Sequence, residues 1–355
     1  MNNAETTPKI TKETKNKIKV DFERTPLLER LKAKFINLYT VKKVVWYLFR
    51  FVLLLGISYV ILFPFFSKIA SSFMSPEDFV DVTVRLIPKN PTLETYKAII
   101  VDNQYFTAMF NSLILSLTCA ILQTFMSCLI GYGLAKFKFK GNNLVFMAVI
   151  FTMVVPHATL QLSMFMKFRY FDIYGIISLL SGGVSESFNL IGGLLDGDTS
   201  LNLLNTNIPL YILSATGLAY KNGLYIFLLR QFFRGIPDEL EESAYLDGSG
   251  VFKTFFSIII PLSGTMLITV FMFSFCWQWT DNFYTELFYR SGGPHLLPDI
   301  IKIPKSLNVD FAGKELYQAA INNTAGILIL IPLIILYLFG QRYIVQGIER
   351  SGITG

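Results

Sequence analysis

The stretch GSGVFKT, residues 248–254, comes close to the Gly-rich turn that cradles nucleotide phosphates. The match fails at one position. Phe252 precedes Lys253, where that cradle requires Gly. Other catalytic arrangements are equally hard to build. The two histidines, His157 and His295, are too few for a multi-histidine metal site. Cys119, Cys128 and Cys276 lie inside apolar runs without CxxC spacing and read as buried thiols. No HExxH, Ser/His/Asp set or pair of intramembrane carboxylates is visible, so no catalytic residue, metal ligand or cofactor is assigned. What remains is binding. In FMFSFCWQWTDNFYTELFY, Gln278, Asp281 and Asn282 stand beside Trp277, Trp279 and Phe283. Aromatic faces with amides and a carboxylate suit a sugar, which offers C–H faces and hydroxyls. An interfacial aromatic belt with hydrated polar ends would give the same pattern. Asn111 and His157 are further substrate-path candidates. Asn111 equally suits a helix-packing hydrogen bond, and His157, next to Pro156, equally suits filling a proline kink.

These residues sit in apolar runs. The 355-residue chain is 52% hydrophobic and 16% charged, with mean hydropathy +0.49. Soluble domains carry about 25% charge, and runs of about 20 apolar residues are what roughly 30 Å of hydrocarbon requires. The sequence predicts an all-α integral membrane protein with six spans, at 45–67, 107–134, 143–166, 207–232, 261–284 and 322–340. Pro156, Pro209 and Pro332 fall within or at the ends of spans, where membrane helices tolerate them. Predicted span centres are nearly free of ionisable groups, which disfavours an ion-coupled carrier.

Basic residues set the orientation. Residues 1–50 hold 12 of the 31 Lys and Arg, and Lys136, Lys138, Lys140, Arg230, Arg234, Lys253, Arg342 and Arg350 mark the other inner segments. Both termini and the 233–260 loop are therefore expected inside. This also accounts for the net charge of +6 without nucleic acid.

The division is a cytoplasmic N-terminal tail, 1–44, a transmembrane domain, 45–345, and a cytoplasmic C-terminal tail, 346–355. Residues 1–24 read as disordered. Thr25 and Pro26 open a short helix that either lies on the anionic inner leaflet or forms a solvated connector. Outside, 70–106 carries a turn and a short helix capped by Thr92, and 170–206 is rich in Gly, Ser and Asp. The terminal segment QRYIVQGIERSGITG is short and Gly-rich, without the makings of an independent fold.

The loop RQFFRGIPDELEESAYLDGSGVFKTFFSIIIPL reads as helix–turn–helix. Pro237 opens the first helix, with Asp238, Glu239, Glu241 and Glu242 at the positive end of its dipole. Asp247-Gly248 ends it, and Ser249 or Gly250 caps a second helix carrying Phe252, Phe255 and Phe256 toward Pro261. An ordinary capped loop and a rigid docking element both fit.

This loop resembles the EAA loop of ATP-binding-cassette importer permeases: Glu242-Ser243-Ala244, two residues, Asp247-Gly248, then Phe255, Ile258 and Pro261. Ser243 replaces an Ala, and Thr265 stands where many sugar permeases carry a second Pro that would kink the helix. NPTLETY, FNSLILS, GYGLAKFKFKG and QRYIVQGIERSGITG also resemble segments of carbohydrate-uptake permeases of the maltose type, in order. Residues 171–200 look like an insertion relative to that family.

The resemblance implies a binding-protein-dependent inner-membrane component in a bacterial plasma membrane. It would form half of a pathway for a carbohydrate, an oligosaccharide by family habit. Its partners would be a second permease subunit as heterodimer, a pair of ATPase subunits gripping the EAA loop, an extracytoplasmic solute-binding protein and membrane lipid. ATP would be bound by the partner, so the chain itself is not an enzyme. The C-terminal segment would reach toward the ATPase interface. A permease for a non-sugar solute and an ion-coupled carrier are the alternatives.

Overall fold

The computed structural model describes residues 10–13, 19–22, 38–172, 201–290, 292–308 and 314–352. Thr25, Pro26, most of the 171–200 segment and the last three residues lie outside the described residues. The chain divides into two units, Met1–Lys68 and Ile69–Gly355.

In the first unit, β1 (Ile10–Glu13) and β2 (Lys19–Phe22) pair antiparallel, with Ile10 opposite Phe22 and Glu13 opposite Lys19. The sequence reads as disordered here because four-residue strands amid polar residues give too short a pattern to recognise. Helix α1 (Leu38–Ser71) follows and runs just past the boundary between the units. Its side chains are exposed from Lys42 to Phe66, and Lys42–Ser71 is long and apolar enough to cross a membrane.

In the second unit the regular elements among the described residues are helices, joined by turns and one isolated bridge between Phe171 and Leu201. Helix α2 (Glu94–Asp102) starts one residue later than expected, with Leu93 as cap and the Thr92 hydroxyl accepting from Glu94 N–H at 3.2 Å. Helix α3 (Tyr105–Lys136) is the centre of the fold. It packs along α6 (Ile208–Ala215), α7 (Asn222–Arg234) and α10 (Gly264–Trp279), and α10 packs against α12 (Lys314–Gly352).

Tyr105–Lys136 and Lys314–Gly347 also qualify as unbroken spans, which with α1 makes three among the described residues. The other expected spans are broken. The 143–166 run is α4 (Asn142–Val154), a 3-10 turn at His157–Leu160 and α5 (Gln161–Arg169), bent by 94°. Pro156 supplies no N–H, and Val155 before it takes the extended ψ of 120° that proline imposes. The 207–232 run is α6 and α7, parted at a turn where Gly217 and Lys221 have φ of +73° and +70°.

The 261–284 run is α10 alone. It is bent by 78° from α9 (Val251–Leu262) and followed by a separate α11 (Phe283–Phe288). Thr265 thus does not remove the kink, which falls at Ser263. There the hydroxyl donates to the carbonyls of Ile259 and Ile260 at 2.8 and 3.0 Å, just after Pro261 breaks the ladder. Counting the 142–169 and 251–279 pairs as one span each gives five.

The last helix runs on to Gly352, so the segment that could not fold alone continues the helix before it. Extending a helix adds one bond per residue without repeating nucleation. Within it, Pro332 lacks the N–H that the Leu328 carbonyl would receive. The Tyr105 hydroxyl donates to that carbonyl at 2.9 Å, and Trp279 Nε1 donates to the neighbouring Ile329 carbonyl at 3.0 Å. Tyr105, Phe275, Trp279, Tyr317 and Ile321 build the apolar cluster around this repair.

Candidate functional site

The helix–turn–helix forms much as its sequence suggests. Asp238 caps α8 (Glu239–Leu246), its carbonyl accepting from the N–H groups of Glu241 and Glu242 at 3.0 Å. Lys136, the last residue of α3, anchors the start. Its ammonium donates to Asp238 Oδ1 at 2.5 Å and to the Ile236 carbonyl at 2.6 Å. Lys136 is nearly buried, and its hydrogen bond holds the Asp238 carboxyl below its ordinary range. At the other end, Ser249 N–H donates to the Ala244 carbonyl at 2.9 Å and Gly248 N–H to the Tyr245 carbonyl at 3.0 Å. This pair is the Schellman closure, and Gly248 takes the φ of +78° it needs. Gly250 caps α9, which passes through a π turn at Phe255–Ile259 before Pro261.

Of the expected coupling residues, Ala244 and Phe255 face inward, the latter with its ring 4.8 Å from that of Tyr132. Ile258 is half-buried, while Glu242, Ser243, Asp247, Gly248 and Pro261 are exposed. Two large apolar side chains flank the turn in the open: Leu246 is 89% exposed and Phe252 78%. Glu241, read from the sequence only as a charge at the helix's positive end, is buried beside Tyr132, where burial pushes its carboxyl up. Its neighbour Glu242 points out, a difference of one helical position that no composition signal carries.

A second constellation forms where the breaks meet. Gly223 lets α7 press on α4: a Cβ there would lie 2.6 Å from Thr152 Oγ1 and 3.1 Å from the Val149 carbonyl. The two interruptions, at 155–157 and 217–221, thereby line one recess of about 210 Å³ that includes His157, Tyr220 and Lys221. An adjoining recess of about 460 Å³ shares Pro156, His157 and Tyr220 and adds Trp277, Asp281, Asn282 and Tyr284. Its wall is aromatic. Tyr284 Oη and His157 Nδ1 are 2.8 Å apart, the His157 and Tyr220 rings meet edge-on at 4.6 Å, and Tyr220 meets Trp277 at 5.7 Å.

The expected path residues divide accordingly. His157, Gln278, Asp281 and Asn282 come together around Tyr220 and Tyr284. Asn111 does not join them, since its amide donates to the His295 carbonyl at 2.9 Å. Asp281 caps α11, accepting from Thr285 N–H at 3.0 Å, and Asn282 donates to Glu286 at 2.6 Å. Tyr220, Lys221 and Tyr284 were missed. Lys221 had a signal: it is an ionisable residue within the expected 207–232 span, and such residues are costly enough in a membrane to mark function.

Comparison with known proteins places this arrangement. The chain is 27% identical over 296 residues to the inner membrane ABC transporter permease protein YcjP of Escherichia coli (strain K12), covering 83% of this chain and 91% of that one. It is 28% identical to the arabinooligosaccharides transport system permease protein AraQ of Bacillus subtilis (strain 168), covering 86% and 94%. The fold resembles the crystal structure of a bacterial ABC transporter involved in the import of the acidic polysaccharide alginate. There the TM-score is 0.61 and the identity 21%, over 85% of this chain and 97% of that one. A family model matches residues 123–350, from the middle of α3 through the three broken runs and the capped turn into α12. Over that stretch, more than half its length, the chain belongs to the family of binding-protein-dependent transport system inner membrane components.

Proposed function

We propose that the chain is the permease subunit of an ATP-driven importer, forming one half of a membrane pathway for an oligosaccharide. A separate ATPase pair drives it through the α8–α9 turn. The observation that carries this reading is the turn itself. It is pinned at its start to α3 by Lys136, closed at Gly248, and presents Leu246 and Phe252 to the outside. Apolar side chains held on a rigid turn and left uncovered suit a groove on a partner. Among the described residues no group of His, Cys, Asp or Glu could hold a metal. Six spans, with α6 and α7 together as the fourth, put this turn and both termini in the cytoplasm, and residues 348–352 of α12 then extend toward the same ATPase. A second permease subunit completes the pathway, and an extracytoplasmic protein delivers solute. The carbohydrate assignment follows the aromatic and amide-lined recess and the arabinooligosaccharide named for the AraQ relative.

The test is Leu246→Asp with Phe252→Asp in the complete transporter. The expected outcome is normal membrane insertion, with loss of ATPase co-purification and of solute-stimulated ATP hydrolysis. An intact complex with full stimulated hydrolysis would show that the ATPase docks elsewhere.

A further inference from the structure

Lys221 is placed in a way that ordinary helix capping does not require. It opens α7 at a φ of +70°, a conformation where Gly or Asn would be at ease. From there α7 runs 13 residues to Arg234, about 20 Å of helix. The ammonium is therefore far from the basic end of α7, and the proposed fourth span would carry it into roughly 30 Å of hydrocarbon.

The ammonium is held in place there. Its Nζ lies 4.5 Å from the Tyr220 ring centroid and 4.7 Å from that of Trp277, so two π faces stabilise it at the recess wall. Ring faces accept charge but leave its N–H donors free for a better acceptor. Among the described residues no carboxylate is within ion-pair distance of it. The carboxylate of the adjoining recess, Asp281, is engaged by the N–H and hydroxyl of Thr285 at the start of α11.

Two further groups point the same way. The N-terminus of α7 itself adds positive potential beside Lys221. Gln278, in the pocket that joins Tyr220, Trp277 and Asp281, has a buried Nε2 that finds no acceptor among the described residues. A half-buried cation without an ion-pair partner, a helix N-terminus and an unmatched amide donor all call for an acceptor-rich, negatively charged ligand.

We propose that the two adjoining recesses take a sugar unit carrying an anionic group, a carboxylate or a phosphate, whose charge is met by Lys221 on the wall of the smaller one. Gln278 donates to a neighbouring oxygen, and Trp277, 48% exposed, offers an apolar face to the ring. This rests on the reading of the recess as part of the carbohydrate path and specifies the class of carbohydrate.

The experiment uses the complete transporter in lipid nanodiscs and follows tryptophan emission, with the Trp277 contribution identified by its loss in Trp277→Phe. Three probes are titrated: trigalacturonate for carboxylate, glucose 6-phosphate for phosphate and maltotriose as neutral control. The expected result is that one anionic probe perturbs Trp277 and binds about tenfold or more weakly in Lys221→Asn, the loss of one charge-assisted hydrogen bond. Asn suits the left-handed backbone, so this variant keeps the turn. Lys221→Arg should restore most of the affinity, and maltotriose should be insensitive to either change. The probe that responds identifies the group. If anionic and neutral sugars bind alike, with and without Lys221, the charge assignment is overturned while the path reading stands. If none of the three alters Trp277 emission, the recess is not on the sugar's route and both fall.

Discussion

Gly248 isolates backbone strain from steric clash. A Cβ built on it would meet nothing within 4 Å, yet its φ is +78°. Any penalty on substitution therefore comes from the left-handed backbone alone, about 1–2 kcal/mol for an ordinary L-residue, more for a β-branched one. The folded bundle is not threatened, because the turn is exposed. The closure is. Leaving the left-handed region breaks the Ser249–Ala244 and Gly248–Tyr245 bonds and re-aims α9, separating Leu246 from Phe252. A penalty of that size lowers the docking-competent population by about 5- to 30-fold. Gly248→Asn, Gly248→Ala and Gly248→Val should therefore lose coupling in that order, since Asn enters this conformation most easily. The assay is solute-stimulated ATP hydrolysis in proteoliposomes, with co-purification of the ATPase and membrane expression as controls. Normal coupling in Gly248→Val would refute the docking role, and an Asn variant as defective as Val would refute the strain argument.

Tyr105→Phe removes the donor that serves the Leu328 carbonyl opposite Pro332. It should lower stability by about 1–3 kcal/mol, read as a drop in thermal midpoint of the purified complex with little change in Km for solute. Glu241 titrates above its usual 4.5 because burial disfavours its charge. The folded state thus binds the proton more tightly, so stability falls as pH rises from 4.5 through the raised value. Glu241→Gln should flatten that part of the thermal-midpoint profile and stabilise the protein at neutral pH. On a background lacking Cys119, Cys128 and Cys276, an impermeant thiol reagent added to intact cells should label a cysteine at Asn90. It should spare one at Lys138 or Glu242, and outside labelling of position 242 would invert the six-span topology.

Much of this was legible because it depends on short-range chemistry. Asp247-Gly248 ends a helix wherever it sits, and Pro237 starts one, so the capped turn could be read locally. The apolar runs announced helices, and Pro156 marked a place where one could fail. What the runs could not show is how far each break would go. The 94° bend after α4 and the left-handed residues between α6 and α7 are accompanied by the close fit of Gly223 against Val149 and Thr152, a contact between distant segments that no local pattern carries. The orientation of Glu241 and the company of Lys221 depend on such contacts too. Asn111, which the sequence left open between the path and a packing hydrogen bond, finds its acceptor in the His295 carbonyl 184 positions away, beyond any local pattern.

The paired interruptions at 155–157 and 217–221 also constrain what can surround the protein. Pro156 leaves the Thr152 carbonyl without its usual helical donor, and the turn ahead of α7 leaves further peptide groups outside any helical ladder. Acyl chains offer no hydrogen bonds, so bare peptide groups at that depth are tolerated only against protein or water. The flank of the second unit that carries both breaks is therefore excluded from the lipid annulus. An oligomer interface or a hydrated vestibule must cover it, and a paramagnetic probe dissolved in the bilayer core should reach spin labels there less readily than a polar relaxation agent does.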